Sequence, residues 1–136
     1  MGADKVVVDT NVVISALLSG GAPGKIIGLW QSRALEPVAS KEILDEYIRV
    51  LTYPKFKLSE EEINYLLYQE ILPFFEIIDV QQGPQIIEKD PQDDKFLRCA
   101  LEANARYLIS GDKHLLALKS YQKIKILSPT EFIKGI

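Results

Sequence analysis

Val6-Val7-Val8-Asp9-Thr10-Asn11 and Tyr107-Leu108-Ile109-Ser110-Gly111-Asp112 decide the fold of this chain. Each runs an apolar, β-prone stretch straight into a carboxylate. An uninterrupted apolar strand is expected where both faces of a sheet are covered. In an open parallel sheet the carboxyl ends of the strands face one crevice, where ligands bind. Two Asp residues delivered to that rim point to a divalent-metal site.

Outward from these segments the chain alternates strand and helix. Residues 5–8 read as the first strand and 11–18 as a helix stopped by Gly20-Gly21. A second helix is expected over 23–33, with Pro23 in its first turn, and a second strand over 35–38. Ser40 can cap a third helix to about residue 51, ended by Pro54. Ser59-Glu60-Glu61-Glu62 fits a capping box for a fourth helix over 60–71. Then follow a third strand at 77–80, a loop at 81–89, a fifth helix at 93–105 and a fourth strand at 107–110. A sixth helix at 113–119, a fifth strand at 125–127 and a short helix opened by Pro129-Thr130-Glu131 complete the pattern. This is an α/β chain with a central parallel five-stranded sheet flanked by helices on both faces, in one domain over residues 1–136.

Bulk properties narrow the class. Hydrophobic residues make up 47% and charged residues 26% of 136, which excludes a disordered chain. The formal charge of −3 is not that of a basic nucleic-acid binder, although acids that hold metal would distort the sum. No apolar run is long enough for a membrane span, and Met1-Gly2-Ala3-Asp4-Lys5 leads into a strand with no signal-type segment. With Val6 at the sixth position, Gly2 lacks a myristoylation signal. Cys99 is the one cysteine, so no intrachain disulfide can form, and a cytoplasmic location is expected.

The acids differ in how far a local role explains them. Asp9 and Asp112 can each cap the helix that follows, but Thr10 or Asn11 could cap in place of Asp9, and Ser110-Gly111 gives the backbone a close approach to a ligand. On the third helix Ile43, Leu44, Tyr47, Ile48 and Leu51 share one face, and Glu46 falls about 60° outside Ile43, beside Val50. Glu42, Asp45 and Arg49 point further toward water. In Asp90-Pro91-Gln92-Asp93-Asp94, Asp94 lies at the edge of the face formed by Phe96, Leu97, Ala100 and Ala103 and is the preferred ligand. Asp90 or Asp93 could assist or replace it. Two carboxylates roughly 6 Å apart repel by about 2–3 kcal/mol at an effective dielectric of about 20, so four together cost on the order of 10 kcal/mol. Divalent cations remove that cost, and all-oxygen ligation suits Mg²⁺ or Mn²⁺.

Taken together, Asp9-Thr10-Asn11, Glu46, Asp94 followed by Leu97 and Ala100, and Ser110-Gly111-Asp112 resemble a PIN domain over nearly the whole chain. The last two acids stand 18 positions apart, 112 minus 94. The resemblance is strongest to the toxins of prokaryotic toxin–antitoxin pairs. It implies a five-stranded parallel sheet and a Mg²⁺- or Mn²⁺-dependent ribonuclease, with Asp9, Glu46, Asp94 and Asp112 as catalytic and metal-binding residues. Asn11 and Ser110 match polar positions beside the acids; Ser110 stands where Thr is more usual. RNA as substrate, a small antitoxin protein as partner and a homodimer are implied as well.

Lys113 is a candidate phosphate contact, and Lys55 and Lys57, flanking Phe56, are candidates for gripping RNA by charge and stacking. His114 is expected to be solvated and Cys99 to be core rather than a nucleophile. Tyr65, Leu66, Leu67, Tyr68 and the run Leu72-Pro73-Phe74-Phe75 look too apolar for one core and suggest a dimer interface on the fourth helix. Two other readings of a strand ending in Asp fail on residues. A haloacid-dehalogenase-like phosphatase needs Asp where Asn11 stands and an acid where Leu116 stands. A receiver-like signalling domain needs an acidic pair and a late Lys that Val8-Asp9 and Leu127-Ser128-Pro129 do not supply. The remaining alternative is a catalytically inactive PIN-like module that binds RNA or protein.

Overall fold

A computed structural model describes residues 3–80 and 94–135. The loop expected at 81–89, with Asp90 and Asp93, lies outside the described residues. Chain order is β1 Asp4–Val8, α1 Thr10–Leu18, α2 Gly21–Gln31, β2 Leu35–Ser40, α3 Lys41–Leu51, a 3₁₀ turn Pro54–Phe56, and α4 Glu60–Tyr65. A π-helical segment Leu66–Ile71 and β3 Glu76–Ile78 follow, then α5 Asp94–Ala103, β4 Tyr107–Ile109 and α6 Lys113–Leu118. β5 Ser120–Tyr121, β6 Ile124–Leu127 and α7 Pro129–Lys134 finish the chain.

The strands form one sheet in the order β3-β2-β1-β4-β6-β5. Five of them pair in parallel, as expected, and β5 adds a short antiparallel edge. Consecutive strand residues point to opposite faces, yet Val6, Val7 and Val8 are all 0% exposed, so helices cover β1 on both sides. α5 packs on β1, β2 and β4, while α2 and α3 pack on β2 and α7 on β6. No single helix among the described residues is long and apolar enough to cross a membrane.

Local chemistry sets most boundaries. Ser40 Oγ accepts from the Ile43 amide at 3.1 Å and starts α3. Capping boxes at Ser59–Glu62 and Ser128–Glu131 open α4 and α7. Gly20 and Gly21 turn the chain between α1 and α2 at φ +79° and +67°, conformations that favour glycine. α2 therefore begins two residues before the expected start at Pro23, which needs no amide partner within a first turn. Asn104, at φ +56°, ends α5 ahead of the expected residue 105, with the Ala105 amide bonded back to Ala100 O at 2.9 Å.

Two features depart from the expected pattern. The fourth helix does not run uniformly over 60–71: from Leu66 it widens into π geometry, with the Leu72 amide bonded to Leu67 O at 2.9 Å. Trp30 explains part of this, because its indole N–H donates to Glu70 O at 3.1 Å from across the fold. The second is the hairpin of β5 and β6, turned at Gln122-Lys123 with Gln122 at φ +53°. That turn lacks the Asn-Gly or Asp-Gly pair that marks most tight hairpins.

The core meets the expected apolar surplus partway. Leu67, Ile71 and Phe75 are buried, and Phe74 is half-buried with the Arg33 guanidinium 5.5 Å from its ring centre. Tyr65 and Tyr68 remain 58% and 59% exposed.

Candidate active site

The order of strands places the crevice. From β1 the chain proceeds through β2 to β3 on one side, and β4 then lies on the other side of β1. The order of connection reverses between the parallel strands β1 and β4, the position where open α/β sheets bind ligands. Asp9 leaves β1 there, and Ser110-Gly111-Asp112 leaves β4. The ladder carries them to one level: the Asp9 amide donates to Ile109 O, and the Ser110 amide to Leu127 O, both at 2.9 Å.

Ser110 is fully buried and joins the two acids. Its hydroxyl donates to Asp9 Oδ2 at 2.5 Å and accepts from the Asp112 amide at 2.9 Å. Asp9 also accepts from the Asn11 amide at 3.4 Å, capping α1. Asp112 caps α6 through Oδ1, which receives the His114 and Leu115 amides at 2.8 and 3.1 Å. Each acid is thus a helix cap and a wall of the crevice at once.

Burial holds the Asp9 carboxyl above the usual carboxylate range. The Ser110 hydroxyl and Asn11 amide oppose this, while the charges of Asp112 and Glu46 push it further up. The folded protein therefore binds the Asp9 proton more tightly than the unfolded chain, and the charged form costs stability above the unfolded pKa. Asp9→Asn keeps the Oδ1 acceptor of the cap and removes that charge, while the bond to Ser110 reverses, the new amide N–H donating to Oγ. In EDTA at pH 7 it should melt above wild type, and the gap should close as pH falls through the raised Asp9 pKa, where wild type also becomes neutral. Melting curves between pH 4 and pH 8 decide it; a variant less stable at every pH would show that the charge is not a burden.

Glu46 faces the same crevice from α3 at the border of the buried face, its side chain 15% exposed. The Thr10 hydroxyl donates to Glu46 Oε2, and Lys95 Nζ lies 2.8 Å and Arg49 Nη2 3.5 Å from Oε1. Behind it Tyr47 is fully buried, with its hydroxyl donating to Val8 O at 2.5 Å. Asp94 sits deeper than the helix edge expected for it: it is 1% exposed, with Arg98 Nη2 3.7 Å from Oδ2.

The crevice has two lobes, both walled by Asp9, Asn11 and Asp112. One, of about 330 Å³, adds Thr10, Glu46, Tyr53, Lys55, Phe56 and Lys95. The other, of about 540 Å³, adds Ser15, Gly111, Lys113 and Pro129. Asp9, Glu46, Asp112, Asn11, Lys55 and Lys113 therefore share one cleft. Asp94 and Lys57 are not in its walls, and His114 is half-buried beside it. Cys99 is core, its thiol pushed up to about 12 by burial, and no nucleophile. Lys95 and Tyr53 are cleft residues that carry no mark in the sequence, and Thr10, expected there as an alternative cap, donates to Glu46 instead. An apolar N-terminal strand, a helical wheel and a capping motif carry no signal for a lysine that reaches across to another helix.

Among the described residues no group of three or more His, Cys, Asp or Glu stands ready to hold a metal ion. The donor chemistry of the Asp9–Asp112 pair nevertheless fits a hard divalent cation. Its donors are oxygens, and the same two neighbouring charges that raise the Asp9 pKa are those a cation would offset. Glu46 is turned to Lys95 and Thr10 instead.

A family model described as PIN domain matches residues 5–114. The uncharacterized protein MJ1680 of Methanocaldococcus jannaschii is 34% identical over 142 residues, covering 96% of this chain and 90% of that protein.

Proposed function

The chain belongs to the PIN-domain family, whose members are generally nucleases, and we propose that it is a divalent-metal-dependent endoribonuclease of the toxin type. The observation that carries this reading is the Asp9–Ser110–Asp112 bridge at the reversal point of the sheet. In it Asp9 and Asp112 hold Mg²⁺ or Mn²⁺, and Ser110 fixes their separation. Asn11 orients a ligand or water on the exposed side of Asp9. Lys55 and Lys113 offer positive charge to RNA phosphate on the two lobes. Glu46 stands in the same cleft, and Asp94, outside its walls against Arg98, belongs to the proposed acidic set as a neighbouring charge; Asp90 and Asp93 are its proposed supporting acids. When bound, the cation supplies activation of water and neutralisation of phosphate charge.

Cleavage of a mixed RNA pool with Mg²⁺, with Mn²⁺ and with EDTA tests the proposal. Hydrolysis with either metal and none with chelator is expected; equal cleavage in EDTA would sink it. One observation favours a second reading, an RNA-binding module without catalysis: Lys95 already neutralises Glu46 at 2.8 Å. Metal-independent binding with no hydrolysis in any arm would select it.

A homodimer and a small antitoxin partner belong to the same proposal, as does a cytoplasmic location. Tyr65 and Tyr68, exposed along α4 and the π segment, support an interface there. Light scattering at micromolar concentration should give twice the monomer mass, and Tyr65→Glu with Tyr68→Glu should halve it. A monomeric wild type would refute the dimer.

A further inference from the structure

Among the described residues the exposed large hydrophobic side chains are Leu18, Tyr53, Tyr65, Tyr68 and Leu118, and of these Tyr53 alone walls the cleft that contains Asp9, Glu46 and Asp112. Its backbone is held on both sides. The Tyr53 amide donates to Val50 O at 3.0 Å, and its carbonyl accepts from the Phe56 amide at 3.1 Å to close the 3₁₀ turn. Pro54 opens that turn and stiffens it. Tyr53, 42% exposed, thus rises from a fixed backbone corner at the acidic lobe.

Lys55 lines the same lobe and is exposed. Its ammonium lies 5.1 Å from the Phe56 ring centre, which holds the side chain against its own turn. Lys95, the other lysine of the lobe, is 13% exposed and committed to Glu46. Phe56 is half-buried under Lys55, and Lys57 does not wall the lobe. The stacking face that sequence reading assigned to Phe56 therefore falls to Tyr53.

We propose that Tyr53 and Lys55 form a nucleobase subsite, in which one unpaired base of the RNA stacks on the Tyr53 ring while Lys55 meets the adjoining phosphate. The inference rests on the ribonuclease reading and adds the residues that hold the nucleotide in this lobe. A base inside a duplex has both faces covered by its neighbours, so only a single-stranded nucleotide can cover Tyr53. Asp9 and Asp112 wall the same lobe, so the stacked base and the metal-binding pair share one cavity.

The test uses full-length protein carrying Asp112→Asn, which holds turnover down, with Mg²⁺ present. The probe is a single-stranded RNA of about 12 nucleotides containing 2-aminopurine, whose fluorescence falls on stacking. Anisotropy and quenching are read together. Tyr53→Ala should weaken binding about tenfold and abolish the quench, and Tyr53→Phe should restore both. Lys55→Gln should keep the quench and reduce the slope of log affinity against log salt by about 0.7. The same RNA annealed to its complement should show no quench.

Unchanged affinity and quench in Tyr53→Ala would overturn the subsite. So would a Tyr53→Phe protein that melts like wild type yet restores neither signal. The two readings separate cleanly. If wild type cleaves RNA but quenching ignores Tyr53, the subsite alone fails. If no metal supports cleavage while quenching still follows Tyr53, the ribonuclease reading fails and the subsite stands. A protein that binds no RNA overturns both.

Discussion

Asp112→Asn is expected to lower RNA cleavage by about 10²–10³-fold, the size seen when one preorganised electrostatic group is removed from an active site. The substitution is close to isosteric, and Asn caps helices as well as Asp. The bonds from the His114 and Leu115 amides to Oδ1, at 2.8 and 3.1 Å, can persist on the amide oxygen. The backbone bond from residue 112 to Ser110 Oγ is untouched by the side chain. Only the charge beside Asp9 disappears, and that charge is among the causes of the raised Asp9 pKa. In EDTA the variant should therefore melt at or above wild type. Mg²⁺ or Mn²⁺ should raise the melting temperature of wild type through linkage and that of the variant less. A variant clearly less stable than wild type in EDTA would mark Asp112 as a structural cap alone.

Glu46 should behave differently under the same treatment. Lys95 and Arg49 already balance its charge. Neutralising it leaves the largely buried Lys95 ammonium without that counter-charge. Loss of activity from Glu46→Gln therefore comes mixed with loss of stability, whereas Asp112→Asn separates the two.

Trp30→Ala is expected to cost about 3–5 kcal/mol of stability, the range for truncating a buried Trp or Phe. For a domain of this size that corresponds to roughly 10–20 °C in melting temperature. Trp30 is 1% exposed and fixes more than its own volume. Its ring meets Phe75 edge-on at 5.1 Å, and Phe75 meets Tyr47 edge-on at 6.0 Å. The Tyr47 hydroxyl in turn holds Val8 O, one residue before Asp9. The indole N–H also satisfies Glu70 O in the π segment. Trp30→Phe keeps most of the packing and strands that carbonyl, so it should cost only about 1–2 kcal/mol. Urea titration of the three proteins measures both steps. Equal costs for Ala and Phe would show that the hydrogen bond, not the volume, dominates.

The sequence by itself determined what depends on near neighbours along the chain. Apolar runs at 6–8 and 107–109 are strands because no polar residue interrupts them, and they end where Asp9 and Ser110 begin. Ser40, Ser59 and Ser128 cap helices because a side-chain oxygen reaches an amide three residues on. The faces of α3 and α5 follow from 3.6-residue periodicity, which put Glu46 at the border of a buried face. From strand–helix alternation alone came the parallel sheet, and from its carboxyl edge the expectation that Asp9 and Asp112 meet.

Tertiary structure decided whatever needed two distant segments to be placed. Ser110 donates to Asp9 across 101 positions of sequence, and Lys95 reaches Glu46 from a different helix. Neither pairing has a local signature, because each exists only once β4 has docked beside β1 and α5 has packed against α3. The burial of Asp94 and the π segment under Trp30 are decided the same way, by partners that no window of neighbouring residues contains. Tyr53 is the plainest case. Its sequence marks only a turn before Pro54, and the cleft it faces is made by strands and helices that lie elsewhere in the chain.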